Sequence, residues 1–163
     1  MNVQSMTEEF RNSSFFNDFP DAHLQELVEI ARPVEYRARE EMFHEHEPAK
    51  DVFLITSGQV ALVICEAGLG CRQIMAVKQG DMIGWSPLLD RPRLSDTART
   101  LTPVKAIAMD GAKLLELCEQ NPQFGYHFMR RTAKVLSERL NAVRWQLVDV
   151  HGTNLPEVAL ESD

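Results

Sequence analysis

Short apolar runs separated by turn residues fill the middle of the chain, from about residue 33 to residue 110. Glycine, proline or short polar pairs stand between most of the runs, as in Ser57-Gly58 and Thr102-Pro103. Runs of this length and spacing are typical of strands in a barrel, sandwich or jelly roll. The pattern predicts strands at 34–36, 42–43, 52–56, 60–65, 73–77, 82–83, 97–101 and 104–109. The run 60–65 is apolar on both faces, so that strand is expected to lie between two layers.

Helical patterns flank this middle region on both sides. Residues 1–13 are polar and predict a flexible lead-in, whereas an apolar stripe at i, i+3, i+4 and i+7 predicts a helix over 21–31. Asp110 is a suitable cap for a short helix to residue 118. Asn121 and Pro122 then place a capping residue and a first-turn proline at the start of a long helix that reaches about residue 150.

Apolar residues recur along this long helix at alternating spacings of three and four. This is the a/d pattern of a coiled-coil seam. The seam consists of Tyr126, Met129, Ala133, Leu136, Leu140, Val143, Leu147 and Val150. We interpret it as a homodimer interface; the alternative is a single amphipathic helix packed on its own core. The predicted organisation is a lead-in (1–13), a β-domain (14–119), a dimerisation helix (120–151) and an acidic tail (152–163).

Composition excludes several classes of function. The net charge of −7 and the pI near 5.2 give no broad attraction to DNA or to anionic lipid. The longest apolar run is far shorter than the roughly 20 residues of a membrane-spanning helix, and the N-terminal residues show no secretory signal pattern. We therefore expect a cytoplasmic protein that binds neither DNA nor membrane.

Three cysteines, Cys65, Cys71 and Cys118, are present without a CxxC pair. An odd number without metal-type spacing predicts reduced thiols rather than a disulfide framework or a zinc site. Cys65 and Cys71 flank a glycine-containing turn and could face each other across a hairpin, which leaves a redox role open.

The segment from Gly80 to Arg99 carries the most unusual chemistry in the chain. Gly84 ends a strand, and Ser86-Pro87 can begin a short helix whose first backbone N–H groups are free. Free N–H groups beside Arg91 and Arg93 can form an anion cradle, for which phosphate is the usual ligand. The alternative is a structural turn with exposed arginines.

The order of these elements resembles the cyclic nucleotide-binding domain of the catabolite-activator superfamily. The resemblance rests on the strand-glycine-strand sequence LITSGQV at 54–60 and on GDMIG at 80–84, and it covers roughly residues 15–150. The Gly-Trp-Ser at 84–86 is similar to a bacterial branch of stand-alone members. The fold implied is mainly β with α: a double-stranded β-helix, or β-roll, with N-terminal helices and a long C-terminal dimerisation helix.

The resemblance also implies a ligand site. This chain departs from the residues expected there at two positions. Nucleotide-binding members have a glutamate where this chain has Trp85, and their phosphate-binding arginine corresponds to Leu94, with Arg93 one place early. An anionic small molecule, cyclic nucleotide included, would then bind to six residues of the segment 84–95. These are Gly84, Trp85, Ser86, Leu88, Arg93 and Ser95.

The function implied is a regulatory sensor without catalytic residues or a bound cofactor. It would signal through its homodimer or a downstream protein, since no helix-turn-helix follows residue 150. A degenerate dimerisation platform, with Trp85 filling the former nucleotide pocket, is one alternative.

A metal-dependent enzyme of the cupin type is the other alternative. His44, His46, Asp51 and Gly58 have the spacing of a cupin metal motif, although no histidine lies between His46 and His127 to complete it. Two imidazoles and a carboxylate can bind iron or zinc. In the β-roll interpretation the same residues belong to a turn that faces water.

Overall fold

Eight strands form the centre of the computed structural model, which describes residues 2–68, 70–89 and 91–156. All eight predicted strands are present, within a few residues of the expected bounds. They are β1 (Ala31–Tyr36), β2 (Glu41–Phe43), β3 (Asp51–Ser57), β4 (Gln59–Glu66), β5 (Gly70–Lys78), β6 (Met82–Ile83), β7 (Thr97–Thr100) and β8 (Val104–Asp110).

The strands pair into two antiparallel sheets of four, in the orders β1-β8-β3-β6 and β2-β7-β4-β5. Strands distant in sequence therefore lie side by side, as expected for a jelly roll. Apolar side chains from both sheets interdigitate to form one core. Its buried members are Met42, Phe43, Phe53, Ile55, Val60, Leu62, Val77, Ile83, Leu94, Ala98, Val104, Ala106 and Ala108.

Strand β4 is buried only over its first half. Val60 and Leu62 lie in the core, but Ile64 is 40% exposed and the strand ends in exposed Glu66. The prediction that this strand lies between two layers is therefore wrong for its second half. Its neighbour β5 is an edge strand with mostly exposed side chains, so the outer part of the β4–β5 hairpin has few apolar contacts.

In the described part of the chain, four α-helices precede or follow the strands in sequence: α1 (Val3–Asn12), α2 (Asp21–Glu29), α3 (Gly111–Gln120) and α4 (Pro122–His151). The predicted flexible lead-in over 1–13 is wrong, because Val3–Asn12 is helical and buries Met6 and Phe10. Asn2 caps α1 by accepting a hydrogen bond from the Ser5 N–H at 2.8 Å. The two apolar residues lie four apart on one face, which explains the burial.

The later helices begin where their capping residues predict. Asp110 Oδ1 accepts from the Lys113 N–H at 3.0 Å, and Asn121 Oδ1 accepts from the Phe124 N–H at 3.2 Å. Among the helices of the described residues, none is both long and apolar enough to span a membrane.

The chain divides into two compact units, Met1–Gly125 and Tyr126–Asp163. The first contains both sheets and the first turn of α4, which places the division a few residues later than the predicted boundary at 119/120. Within the second unit, Gly152–Asn154 forms a 3-10 turn after α4. Most of the predicted acidic tail, from residue 157 onward, lies outside the described residues.

Candidate functional site

The turn that follows β6 has the compact form that the sequence predicts. Gly84 has φ +79, and a Cβ there would lie 2.8 Å from the Asp51 carbonyl oxygen, so the position requires glycine. Ser86–Leu89 then forms a short 3-10 turn. The Leu88 N–H donates to the Trp85 carbonyl at 2.9 Å, and the Arg91 N–H donates to the Ser86 carbonyl at 3.2 Å. We call residues 84–96 the cassette.

The second half of the cassette is bonded to the turn between β2 and β3. The His46 N–H donates to the Leu94 carbonyl at 2.9 Å, and the Leu94 N–H donates to the Glu47 carbonyl at 3.0 Å. Both the N–H and the carbonyl of Leu94 are thus bonded to this turn. Exposed Arg93 donates from Nη1 to the His46 carbonyl at 2.5 Å, whereas Leu94 is only 6% exposed and belongs to the core between the sheets.

Trp85 lies in a cluster of aromatic rings outside that core. Its ring centroid is 5.9 Å from that of Phe15, which is 4.7 Å from Phe16. Phe19 continues the cluster at 5.1 Å from Phe16 and reaches Phe124, in the first turn of α4, at 5.8 Å. We call these five residues the aromatic bridge. Buried Leu94, rather than Trp85, is the cassette side chain that belongs to the core between the sheets. That Trp85 fills a former nucleotide pocket stays a prediction.

Ser95, at the end of the cassette, is exposed and its hydroxyl donates to Asp96 Oδ1 at 3.4 Å. Of the predicted ligand residues, Gly84, Trp85, Ser86 and Leu88 are buried, while Arg93 and Ser95 are exposed. The structure thus places them on one continuous segment, but divides them between the protein interior and its surface.

Glu45 is a buried acidic residue that the sequence patterns did not single out. It is 7% exposed, its Oε1 accepts from the Cys65 N–H at 3.3 Å, and its own N–H donates to the Thr97 hydroxyl at 3.0 Å. A carboxylate beside the cassette disfavours binding of a second negative charge nearby. Its position within the polar stretch 44–47 gave no sequence signal of burial.

A groove of about 410 Å³ lies on the outer side of the cassette, between the 3-10 turn and the start of α3. Apolar residues, including Pro87 and Leu115, form part of its lining, together with the basic side chains Lys50 and Arg91 and the carboxylate of Asp110.

The residues of the cupin-type motif do not assemble into a metal site. Asp51 forms a two-point ion pair with Arg32, at 2.6 and 3.0 Å, across the first sheet. His44 Nδ1 donates to the Glu45 carbonyl at 2.9 Å, a hydrogen bond that raises the pKa of His44. Within the described ranges, no group of three or more His, Cys, Asp or Glu residues could hold a metal ion.

Two of the three cysteines are joined. Cys65 on β4 lies directly opposite Cys71 on β5, and the pair forms a disulfide. The prediction of reduced thiols is therefore wrong for these two and correct for Cys118, which is free. Spacing around the turn indicated that the two residues face each other.

Comparison with known proteins decides the family. The sequence profile of the cyclic nucleotide-binding domain matches residues 33–121, which include the cassette and most of both sheets. The chain belongs to this family. The family is one of regulatory domains, and the resemblance to the catabolite-activator superfamily is confirmed.

The curated relatives include a transcriptional regulator. The chain is 25% identical over 152 residues to the CRP-like cAMP-activated global transcriptional regulator of Mycobacterium tuberculosis (strain CDC 1551 / Oshkosh). The match includes 93% of this chain and 66% of that protein, so the chain spans slightly less than two thirds of its relative's length.

Solved structures share the fold. A cyclic nucleotide-binding domain from Methylobacillus flagellatus KT has a TM-score of 0.77 at 18% identity, covering 96% of this chain and 86% of that one. The sensor domain of the transcriptional regulator DNR from Pseudomonas aeruginosa has a TM-score of 0.70 at 16% identity, covering 85% and 93%. These similarities establish the β-roll architecture with its helices.

Proposed function

We propose that this cyclic nucleotide-binding domain is a non-enzymatic regulatory module that self-associates through α4. It passes the state of its β-roll to a second copy of the chain rather than to DNA directly. The net charge of −7 supports this proposal, because these residues have no broad attraction for nucleic acid.

The observation that carries the proposal is the exposed apolar seam of α4. Leu140, Val143, Leu147 and Val150 are 60%, 44%, 49% and 71% exposed, at the spacings of a coiled coil. Four large apolar residues in one row are costly to leave in water, and a second identical helix would cover them. Trp145 and Val148 are also exposed but lie off this row, and the sequence pattern did not account for them.

The aromatic bridge supplies a physical connection between the cassette and α4. Trp85 contacts Phe15, and the chain of ring contacts continues through Phe16 and Phe19 to Phe124. A close-packed interior does not deform gradually. A displacement passes through it as a change from one packing arrangement to another. A rearranged cassette would therefore change the packing around the first turn of α4.

We further propose that the module works without a cyclic nucleotide. Cyclic phosphate binding in this family is expected to need an arginine where this chain has buried Leu94, and Arg93 is instead bonded to the His46 carbonyl. The second candidate is an anionic small ligand on the outside of the cassette. Lys50 and Arg91, which line the groove there, favour it.

Self-association is tested by introducing a charge into the seam. We expect the wild-type chain to be a dimer, with twice the monomer mass of 18.5 kDa, and Leu140→Asp to be a monomer, because two carboxylates would be buried at the interface. Light scattering with sedimentation velocity measures the change. Asn141→Asp adds the same charge one residue away on an exposed position and should remain dimeric. A Leu140→Asp protein that stays dimeric, or a monomeric wild type, contradicts the proposal.

A further inference from the structure

The disulfide lies at the outer end of the β4–β5 hairpin. Cys65 and Cys71 are direct cross-strand partners, six residues apart in sequence, on either side of the turn that contains Gly68. Because antiparallel register already places the two residues opposite each other, the pair can open and close again without refolding of the sheet.

The pair is accessible to small molecules in solution. Cys71 is exposed, Cys65 is half-buried, and β5 is the edge strand of its sheet. Cys118 lies on α3, away from this edge strand. It is half-buried, and burial raises the pKa of its thiol to about 11, so little of it is thiolate at neutral pH.

We propose that Cys65 and Cys71 form a thiol–disulfide exchange site for low-molecular-weight thiols such as glutathione. A glutathione thiolate attacks Sγ of exposed Cys71, the bond between Cys71 and Cys65 breaks, and Sγ of Cys65 leaves with the electron pair and takes up a proton. A second glutathione thiolate then attacks the glutathione sulfur of the mixed disulfide and releases Cys71. In total the protein disulfide gains two electrons and two protons, and two glutathiones become glutathione disulfide.

The hydrogen bonds around Glu45 connect this site to the cassette. The Cys65 N–H donates to the buried Glu45 carboxylate, and the Glu45 N–H donates to Thr97, which directly follows the cassette. The disulfide restricts the backbone that presents this N–H. Reduction of the disulfide removes this restriction from the outer hairpin, which has few apolar contacts of its own. The hydrogen bonds through Glu45 to the segment after Leu94 are thereby weakened.

Thiol counting tests the chemistry. The full chain is incubated with glutathione disulfide or with reduced glutathione under native conditions, acid-quenched, alkylated in denaturant and weighed intact. With three cysteines, we expect one alkylated thiol after oxidation and three after reduction. Cys118→Ser should give no alkylated thiol after oxidation and two after reduction. Cys65→Ser should carry one glutathione on Cys71 after incubation with glutathione disulfide. Three free thiols after oxidation, or a disulfide that millimolar glutathione leaves intact in the native protein, overturns the proposal.

Amide hydrogen exchange tests the structural effect. Exchange over residues 64–72 should be at least about tenfold faster in the reduced protein, because the loop constraint is lost. The double variant Cys65→Ser, Cys71→Ser should exchange at the fast rate under both conditions. Equal rates in the oxidised and reduced wild type would overturn the claim that the pair controls the hairpin. The oligomeric state of the seam variants is a separate readout, so the two proposals fail independently.

Discussion

Leu94→Arg, which introduces an arginine where the family resemblance implies one, should destabilise this protein instead of creating a nucleotide site. Leu94 is 6% exposed within the core between the sheets. Removing its apolar contacts and burying a guanidinium without a partner should lower the free energy of unfolding by at least about 3 kcal/mol. For a chain of this size the melting temperature should fall by roughly 6 to 12 °C, as measured by calorimetry.

Arg93→Ala is the matched control for this prediction. Arg93 is exposed and loses one hydrogen bond to the His46 carbonyl, so the expected cost is about 1 kcal/mol. The interpretation of the cassette would be contradicted if Leu94→Arg melted like the wild type and acquired affinity for a cyclic nucleotide. Position 94 would then face a ligand cavity.

Gly58→Ala should have a comparably large effect, through the backbone. Gly58 joins β3 to β4 with φ +92, and a Cβ there would lie 2.3 Å from the Pro103 carbonyl oxygen and 2.9 Å from Val104 Cγ2. Both the strained φ and the clash oppose any side chain, so the unfolding free energy should fall by at least about 3 kcal/mol. Denaturant unfolding monitored by tryptophan fluorescence gives this value directly.

Gly68→Ala separates the strain from the clash. Gly68 has φ +85, but no heavy atom of the described residues lies within 4 Å of its Cβ position. Only the backbone strain remains there, and the expected cost is about 1 kcal/mol. If Gly58→Ala were no more destabilising than Gly68→Ala, the close approach of β3–β4 to residues 102–104 would be wrong.

The strands were predictable because their signals are local. Apolar runs, the turn glycines and the capping residues Asp110 and Asn121 each act within a few residues, and the structure places elements where these signals occur. Helix α1 was missed because only Met6 and Phe10 carry its apolar face, which is too few for a periodic pattern. Its burial depends on contacts outside the helix, such as that of the Phe10 ring with the Phe16 ring at 5.1 Å.

The candidate site was predictable as a segment but not as a geometry. The glycines and Ser86-Pro87 predict a strand end and a short turn, as observed. Whether Trp85 or Leu94 enters the core depends on long-range hydrogen bonds between the cassette and the β2–β3 turn. The burial of Glu45 likewise depends on long-range contacts, with Cys65 and Thr97. The pairing of Cys65 with Cys71 is by contrast a local hairpin contact, which the spacing around the turn indicated.

The central claim is that a cyclic nucleotide-binding fold serves here as a self-associating regulatory module without the cyclic phosphate contact. Titration calorimetry with cAMP and cGMP tests it most directly. A ligand at 100 times its dissociation constant would also stabilise the protein by about 2.7 kcal/mol, so a thermal-shift assay provides the same comparison. We predict no saturable heat and no shift at millimolar nucleotide. Saturable binding of one nucleotide per chain at micromolar concentration would contradict the account.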